Sequence, residues 1–376
     1  MLKIFTIVGT RPEIIRLSRI LDILDKHSDH KLIHTGQNFD YELNKIFFDE
    51  LKIRKPDFFL EAARETSSQT VGNIICKVDE IFAIEKPHAI LILGDTNSCL
   101  AAIPAKRRKI PIFHIEAGNR CFDQRVPEEI NRKIVDHISD INMVYSNIAR
   151  QNLISEGLPS NQIIKIGSPM FEVLNFFMPQ INNSNILKEL QLSYEQYFLF
   201  SAHREENIES EAMFKKLLNT LNIVAEKYRK PVILSTHPRT RKKLDVADKT
   251  IHPLIRLNKP FGFFDYVHLQ INAKVVLSDS GTITEESSIL NFPALNLRDV
   301  HERLEGMDEA AVMMVGLNSD RVCQGIEILK AQPRGKNRIL NKVEDYSVTN
   351  VSEKVLRIIY SYTDYVNQFI WKKFDN

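Results

Sequence analysis

Two acidic side chains between Ile112 and Arg132 could act together as a general acid and a general base. Glu116 follows the short apolar run Pro111–Ile115, which predicts a buried strand. Glu128 follows Pro127, and proline suits the first turn of a helix. The carboxyl ends of strands and the amino ends of the following helices meet at one edge of an open α/β sheet, where ligands bind. The pair therefore predicts an acid/base site at such an edge.

A third acid, Asp95, follows another strand-like run. The stretch His88–Leu93 is almost continuously apolar after its first residue, as a strand buried on both faces of a parallel sheet requires. Asp95 comes just after this run, where a helix is predicted to begin. It could cap that helix, which aspartate does well, or it could join the other two acids.

Basic residues near the N-terminus predict an anion site. The first predicted strand ends at Gly9 and leads through Thr10-Arg11-Pro12-Glu13 into a helix predicted over Ile14–Leu24. Arg11 and Arg16 lie near the amino end of that helix, which attracts anions. Taken alone, they fit an ordinary solvated basic face better than an anion site. The Gly-x-Gly-x-x-Gly pattern of nicotinamide dinucleotide sites is absent here, and no cofactor is expected.

A second anion-binding turn is predicted at Asp279-Ser280-Gly281-Thr282, between a strand and a helix. Gly281 lets backbone N–H groups approach a phosphate closely, and the helix dipole adds to the attraction. Glu285 or Glu286, one turn further on, could accept hydrogen bonds from ribose hydroxyls. Arg298 follows the next strand and could balance diphosphate charge.

Two of the eleven histidines, His203 and His237, also follow predicted strands, which chance alone could produce. The run His-Arg-Glu-Glu-Asn that begins at His203 lacks the ligand spacing of zinc sites. We therefore expect no metal.

The elements that would position these residues alternate between strand and helix along the whole chain, which indicates doubly wound parallel sheets. We predict an α/β fold of two Rossmann-like domains that face each other across a cleft. The first spans residues 1–178, and a polar stretch from Met178 to Asn185 that contains Pro179 is predicted to be a linker. The second spans residues 186–354, and residues 355–376 form an amphipathic helix that docks on protein.

Composition bounds the class of protein. The 376 residues suffice for two domains, and 43% hydrophobic with 26% charged residues is typical of a globular chain. A net charge of +2 gives no electrostatic argument for nucleic acid or membrane partners. The four cysteines form no C-x-x-C pair, which predicts free thiols in a reducing compartment. Without a recognisable signal peptide or a long apolar run, we expect a cytoplasmic protein. We also expect a homodimer.

Taken together, these motifs resemble those of the non-hydrolysing UDP-N-acetylglucosamine 2-epimerase family over essentially the whole chain. Each motif alone is weak, but their order and their positions at strand ends are specific. The carriers of the resemblance are Gly9-Thr10-Arg11-Pro12-Glu13, Gly94-Asp95-Thr96, Glu116-Ala117-Gly118, Pro127-Glu128-Glu129 with Asn131-Arg132, His203-Arg204, His237-Pro238, and Asp279-Ser280-Gly281 with Glu285-Glu286.

The resemblance implies a glycosyltransferase-B-like fold whose C-terminal helix returns to the first domain. It also assigns roles to residues in this chain. The positions that match catalytic residues are Asp95, Glu116, Glu128 and His203. The expected UDP-binding residues are Arg11, Arg16, His237, Phe261, Ser280, Gly281, Thr282, Glu286 and Arg298, with Phe261 beside the uracil. The family's usual lysine is Arg16 here, which keeps the charge but changes its geometry.

The stretch Asn119–Val126 is shorter than in the common form of the family. It resembles the branch that makes UDP-N-acetyl-L-fucosamine for capsule or O-antigen from UDP-2-acetamido-2,6-dideoxy-L-talose. The alternative substrate is UDP-N-acetylglucosamine. Rival classes are a glycosyltransferase of the same fold, a hydrolysing epimerase and a non-catalytic sugar-nucleotide sensor.

Loss of UDP from C1 together with the C2 proton, followed by re-addition, would explain the need for several acids. A base is required on one face of the sugar and an acid on the other, while cations hold the departing diphosphate. Which carboxylate serves which face does not follow from the sequence.

Overall fold

Two parallel β-sheets organise the chain in this computed structural model, which describes residues 1–37, 41–202, 210–236, 243, 251–300 and 302–373. One compact unit comprises Met1–Asn175 and Asp345–Asn376, and the other comprises Phe176–Glu344. Within the described part of the chain, no helix is long and apolar enough to cross a membrane.

The first unit contains a seven-stranded sheet in the order β3-β2-β1-β4-β5-β6-β7. Its strands are β1 (Lys3–Val8), β2 (Asp29–His34), β3 (Phe58–Phe59), β4 (Ala89–Leu93), β5 (Ile112–Ile115), β6 (Ile141–Val144) and β7 (Ile163–Lys165). Its helices are α1 (Arg11–His27), α2 (Tyr41–Glu50), α3 (Ser67–Glu85), α4 (Ala102–Arg107), α5 (Pro127–Ile138) and α6 (Asn147–Ser155), and α7 (Met170–Asn182) begins there. Every residue of β4 is buried, as expected for a strand with helices on both faces.

The second unit contains a six-stranded parallel sheet in the order β10-β9-β8-β11-β12-β13. Its strands are β8 (Phe198–Ser201), β9 (Val232–Ser235), β10 (Ile255–Asn258), β11 (Val275–Ser278), β12 (Ala294–Asn296) and β13 (Met313–Met314). Its helices are α8 (Ile186–Glu189), α9 (Glu211–Tyr228), α10 (Phe263–Asn272), α11 (Ile283–Leu290), α12 (Leu304–Asp308) and α13 (Ser319–Leu329). Apolar clusters pack around Phe198, Leu234 and Leu277 and around Leu199, Ile233 and Val276. The alternation predicted from sequence is confirmed as an α/β fold.

Each sheet has a switch point where the strand order reverses. In the first unit it lies between β1 and β4, and in the second it lies between β8 and β11. Crevices at the carboxyl ends of such strands are where open α/β sheets bind ligands. The sequences that follow β1, β4 and β11 are Gly9-Thr10-Arg11, Gly94-Asp95-Thr96 and Asp279-Ser280-Gly281, so three predicted motifs stand at switch points.

Helix α7 continues to Asn182, through most of the predicted linker. Pro179 lies inside that helix on its exposed side, whereas Phe177 and Ile181 are fully buried. Burial of these two side chains outweighs the helix-breaking tendency of proline and asparagine.

The C-terminal helix, α14, runs over Val351–Tyr365 and continues as a π-helical turn, Val366–Ile370. It packs against α1 of the first unit. Lys106 lies over the Trp371 ring, 4.9 Å from its centroid, and Tyr360 donates a hydrogen bond of 2.5 Å to the carbonyl of His27. The predicted amphipathic helix thus packs on the protein itself, and its residues Val355 and Ile359 are fully buried.

Candidate active site

Glu116 and Asp95 follow neighbouring strands of the first sheet. Leu93 at the end of β4 pairs with Ile115 at the end of β5, and the Gly94 N–H donates to the Ile115 carbonyl at 2.9 Å. The two acids therefore stand at the same edge of the sheet, as their sequence positions predicted.

Glu116 is held in a turn by backbone geometry and by one arginine. Its φ of 68° is in the left-handed region that non-glycine residues rarely adopt. Such outliers cluster at functional sites, where the surroundings enforce them. The guanidinium of Arg16 forms an ion pair with Oε2 of Glu116, and the Asn119 amide lies 3.4 Å from Oε1. The guanidinium carbon of Arg16 also lies 5.8 Å from the centre of the Tyr145 ring. Arg16, Asn119 and Tyr145 thus surround the Glu116 carboxylate and its ion pair.

Asp95 is bound by the helix that carries Glu128. Nη2 and Nε of Arg132 lie 2.6 and 2.7 Å from Oδ2 of Asp95, and the Asn131 amide donates to the Asp95 carbonyl at 2.8 Å. Thr96 occupies the N-cap position of the short 3₁₀ helix Asn97–Ala101. Asp95 is therefore joined to α5 rather than used as a cap.

Glu128 lies in the first turn of α5, immediately after Pro127, and its side chain is half-buried. The next residue, Glu129, is buried and lies 2.9 Å from Nη1 of Arg132. The buried face of α5 is Glu129, Arg132, Val135 and Asp136, whereas Ile130 and Ile134 are exposed. Among the apolar residues of this helix Val135 is buried but Ile130 and Ile134 are not, because ion pairs occupy much of the buried side.

Glu13 joins the turn after β1 to the turn after β4. Its Oε2 accepts the backbone N–H groups of Gly9 and Thr10 at 2.6 and 2.7 Å. Its Oε1 accepts the hydroxyls of Thr96, at 2.7 Å, and Ser98. Burial raises the pKa of Glu13, and these hydrogen bonds offset only part of that effect. The two turns that carry Arg11 and Asp95 are thus tied through one buried carboxyl group.

A second buried network supports the loop after Glu116. Asp136 lies 3.0 Å from Nδ1 of His114 and 2.7 Å from Nη1 of Arg120, and it accepts the Gly118 N–H at 3.2 Å. Burial opposes ionisation of Asp136, but His114 and Arg120 outweigh it and lower its pKa. Nε2 of His114 lies 2.9 Å from the Gly94 carbonyl. This network links the residues beside Asp95 and Glu116 to α5.

Arg11 is the first residue of α1, and its guanidinium carbon lies 5.8 Å from the centre of the Phe47 ring. Arg16, one turn further along α1, is buried and forms the ion pair with Glu116. The structure therefore separates two arginines that the sequence placed together: Arg11 is at the helix terminus, and Arg16 is engaged with a predicted catalytic acid.

The predicted phosphate turn of the second unit connects β11 to α11 and is held by hydrogen bonds to local serine hydroxyl groups. Ser280 accepts the Thr282 N–H at 3.3 Å through its hydroxyl, and its own N–H donates to the Ser278 hydroxyl at 3.1 Å. The turn leads directly into α11 at Ile283. A Cβ on Gly281 would come within 2.5 Å of Oε1 of Glu302, so a larger residue would displace that carboxylate. A side chain at this position would therefore disturb the pair that Glu302 forms with Arg298.

Arg298 lies beside this turn, and two of its guanidinium nitrogens have no hydrogen-bond partner among the described residues. Nη1 pairs with Glu302 at 2.7 Å, but Nε and Nη2 are buried and have no hydrogen-bond partner among the described residues. Buried donors without partners are uncommon and mark sites where a ligand can bind. Gly281 lies close by, since a Cβ added to it would be 3.9 Å from Nη1 of Arg298. Both features suit an anion.

Glu286 is buried in the first turn of α11 and accepts a 2.5 Å hydrogen bond from Gln270. Burial and the charge of Glu286 raise the pKa of Tyr266. Phe261 is half-buried and packs against the apolar cluster that contains Leu199 and Ile233. The structure thus places Glu286 and Phe261 in the same unit as Ser280.

The predicted residues His203 and His237 lie outside the described residues. Among the residues that are described, no group of three or more His, Cys, Asp or Glu side chains is arranged to hold a metal ion. All four cysteines are free thiols, as predicted.

Several buried polar residues that hold the predicted acids were not predicted from sequence. The set is Glu13, His114, Arg120, Glu129, Arg132 and Asp136. One signal was available: Glu129, Arg132 and Asp136 follow each other at helical spacing, which predicts a charged stripe on α5. The remaining members are joined through turns whose contacts no sequence spacing predicts.

The two sheets and their switch-point motifs define a protein of the glycosyltransferase-B-like α/β class. The chain belongs to the UDP-N-acetylglucosamine 2-epimerase family, whose model matches residues 23–360, and it is an epimerase. Both the fold and the family predicted from sequence are confirmed.

Known relatives match along nearly the whole chain. The structure of a UDP-N-acetylglucosamine 2-epimerase from Rickettsia bellii is 54% identical, with a TM-score of 0.93 over 99% of this chain and 100% of that one. The Methanocaldococcus jannaschii UDP-GlcNAc 2-epimerase in complex with UDP-GlcNAc and UDP is 33% identical, with a TM-score of 0.89 over 96% and 99%. A Pseudomonas aeruginosa UDP-2,3-diacetamido-2,3-dideoxy-D-glucuronate 2-epimerase is 33% identical over 86% of this chain and 91% of its own length.

Proposed function

We propose that the protein inverts C2 of a UDP-2-acetamido sugar by eliminating UDP and adding it back. The observation that carries this proposal is the pair Asp95 and Glu116, which stand at neighbouring strand ends and are each bound by a buried arginine. Glu128 begins the helix that supplies one of these arginines. Three acids around one sheet edge suit a reaction that moves a proton on and off opposite faces of a carbon.

The chemistry requires such groups because the C2 hydrogen of an amino sugar is not next to a carbonyl. In the first step a base removes the C2 proton, the C–H electrons form a C1=C2 double bond, and the C1–O bond breaks with its electrons leaving on UDP. In the second step an oxygen of UDP adds to C1 while an acid protonates C2 on the opposite face. No oxidant is needed, in agreement with the missing dinucleotide fingerprint.

The proposed roles follow from position. Asp95, Glu116 and Glu128 supply the base and the acid, and the resemblance adds His203 as an assisting group. Arg11 at the amino end of α1 and, in the second unit, Arg298 with the Ser280 turn stabilise negative charge on the departing diphosphate. The M. jannaschii relative, which is bound to UDP-GlcNAc and UDP, supports a UDP sugar as the ligand.

For the sugar we propose UDP-2-acetamido-2,6-dideoxy-L-talose, with UDP-N-acetyl-L-fucosamine as product. The support comes from the loop Asn119–Val126, which joins Glu116 to the helix of Glu128. It carries Phe122, whose side chain is 69% exposed, and a half-buried Cys121. Such apolar groups suit a C6 methyl better than a C6 hydroxyl, which needs a hydrogen-bonding partner.

UDP-N-acetylglucosamine is the second candidate substrate. The R. bellii and M. jannaschii relatives carry the name of that activity, which favours it. The P. aeruginosa relative acts on a different sugar and is 33% identical, as is the M. jannaschii relative, so relatives at this distance differ in substrate.

One experiment tests both levels of the proposal. The protein is incubated with each UDP sugar in heavy water, and the products are followed by NMR. Elimination and re-addition place deuterium at C2 of the epimerised product. An epimer that retains its C2 hydrogen would exclude this mechanism, whereas sugar transferred to an acceptor with C2 unchanged would indicate a glycosyltransferase.

The ratio of kcat/KM for the two sugars on one preparation decides the substrate. A clear preference for UDP-N-acetylglucosamine would overturn the L-fucosamine assignment and leave the epimerase mechanism intact. Free sugar and UDP as the only products would indicate a hydrolysing epimerase.

A further inference from the structure

Glu129 is a buried carboxylate beside the predicted catalytic Glu128. Its side chain is 1% exposed. Burial opposes its ionisation, but the Cys121 N–H and the guanidinium of Arg132 bind the carboxylate and lower its pKa. Glu129 therefore keeps its negative charge at neutral pH. Its buried side chain has little room to move.

One oxygen of Glu129 shares an arginine with Asp95. Nη1 of Arg132 lies 2.9 Å from Oε2 of Glu129, while Nη2 and Nε of the same guanidinium bind Oδ2 of Asp95 at 2.6 and 2.7 Å. A guanidinium is planar and offers its N–H groups in a fixed fork. The position of Glu129 consequently sets the orientation in which Arg132 meets Asp95.

The same carboxylate also holds the loop that follows Glu116. The Cys121 N–H donates to Oε2 of Glu129 at 3.2 Å, and the Phe122 N–H donates to Oε1 at 3.3 Å. Phe122 has a φ of 57°, a conformation that is unfavourable for a bulky side chain and persists only when neighbours enforce it. Glu129 accepts hydrogen bonds from the N–H of this strained residue and from the N–H of the residue before it.

We propose that Glu129 is a positioning residue that fixes the Asp95–Arg132 ion pair and the loop Asn119–Val126 together. The part that concerns catalysis rests on the proposed epimerase role of Asp95. A movement of the loop when a sugar binds would then reach Asp95 through two residues, first Glu129 and then Arg132. Glu129 itself touches neither the sugar nor the diphosphate in this proposal.

The test compares Glu129→Gln with Glu85→Gln. Glu85 pairs with Lys3 at 3.2 Å in the same unit and is partly exposed, so its substitution removes one negative charge from an ion pair away from α5. Glu129→Gln is expected to lower kcat for the UDP sugar about tenfold and to raise KM a few-fold. Glu85→Gln should leave both values unchanged.

A double-mutant cycle separates positioning from general damage. Lysine at position 132 keeps a positive charge but cannot bridge two carboxylates with a rigid fork. If Glu129 acts through that fork, Glu129→Gln should have less than about a twofold effect on kcat in the Arg132→Lys background. An undiminished tenfold effect there would overturn the coupling to Asp95.

Hydrogen exchange gives a readout that does not depend on activity. The amides of residues 121 and 122 should exchange at least about tenfold faster in Glu129→Gln than in the native protein or in Glu85→Gln. Unchanged exchange would overturn the loop contact. If Glu129→Gln does not fold, Glu129→Asp serves instead, since the shorter side chain cannot reach the loop and Arg132 at once. A native protein without epimerase activity would refute the proposed function, while the exchange comparison would still decide whether Glu129 holds the loop.

Discussion

Arg16 and Glu116 form a buried ion pair between the first turns of α1 and the end of β5. The side chain of the arginine is 3% exposed and that of the glutamate 11%. The sequence placed Arg16 with the diphosphate and Glu116 with the sugar carbon. In the structure the guanidinium of Arg16 pairs with Glu116, a predicted catalytic acid, and Asn119 and Tyr145 lie around the pair.

Replacing Arg16 should therefore affect catalysis more than nucleotide binding. Arg16→Gln leaves Glu116 without its ion partner, and we expect kcat to fall at least about tenfold and stability to fall by roughly 3 kcal/mol, as for other broken buried pairs. Arg16→Lys keeps the charge without the fork and should lose less of both. Steady-state kinetics, urea denaturation and UDP titration measure the three quantities. Weaker UDP binding with native kcat would place Arg16 at the diphosphate after all.

The three acids make a second prediction. Asp95→Asn, Glu116→Gln and Glu128→Gln should each lower kcat by about 10²-fold or more, because each removes a group that exchanges protons with C2. Affinity for UDP alone should change little. Glu85→Gln is the matched control for loss of one charge in the same unit. Native rates in two of the three variants would show that these acids are not the proton-transfer groups.

The turn at Ser280 makes a third prediction, confined to the second unit. Ser280→Asp places a carboxylate beside the buried guanidinium of Arg298, where the diphosphate is proposed to lie. We expect UDP affinity to fall by at least about tenfold from like-charge repulsion. Ser280→Ala removes the hydroxyl that accepts the Thr282 N–H but adds no charge, so its effect should be smaller. Calorimetric titration with UDP compares the two, and equal affinities for Ser280→Asp and the native protein would place the diphosphate elsewhere.

Strand positions and the motifs at their ends could be predicted because they depend on local pattern. A short, fully apolar run such as Ala89–Leu93 is typical of a strand buried on both faces, and parallel strands bring their carboxyl ends to one edge. The positions of Asp95, Glu116 and Ser280 follow from those two facts. The order of the strands, which places Asp95 and Ser280 at switch points, comes from pairing between distant segments.

The partners of the predicted acids could not be predicted in the same way. Arg16 reaches Glu116 across 100 residues of sequence, and Arg132 reaches Asp95 across 37. Helix α5 also departs from a simple apolar pattern, because Ile130 and Ile134 are exposed. Its buried face carries three charged residues beside Val135, and each of these charges has a partner of opposite sign on the same helix or on a neighbouring loop. Helix α7 likewise continued past Pro179 because the apolar side chains beyond it are buried.

Glu13 makes a fourth prediction, which concerns stability as a function of pH. Its carboxyl group accepts four hydrogen bonds from uncharged donors, namely the N–H groups of Gly9 and Thr10 and the hydroxyls of Thr96 and Ser98. A glutamine can keep this arrangement, because its carbonyl can accept both N–H groups and its amide can donate to hydroxyls, which also accept. Glu13→Gln therefore removes the buried charge without removing the hydrogen bonds.

The sign of the pH effect follows from the raised pKa of Glu13, whose first cause is burial. Below the ordinary glutamate pKa of 4.5 the group is protonated in both the folded and the unfolded chain, and its contribution to stability is fully present. As the pH rises toward the higher folded pKa, the native state binds more protons than the unfolded state, so stability is lost. Glu13→Gln lacks this titration. Its free energy of unfolding should therefore rise relative to that of the native protein as the pH increases from 4.5 to the raised pKa of Glu13, and the difference should stay constant above that pKa. Urea denaturation across that range measures the difference, with Glu85→Gln as the control, and a difference that does not change with pH would mean that burial does not disfavour the charge of Glu13.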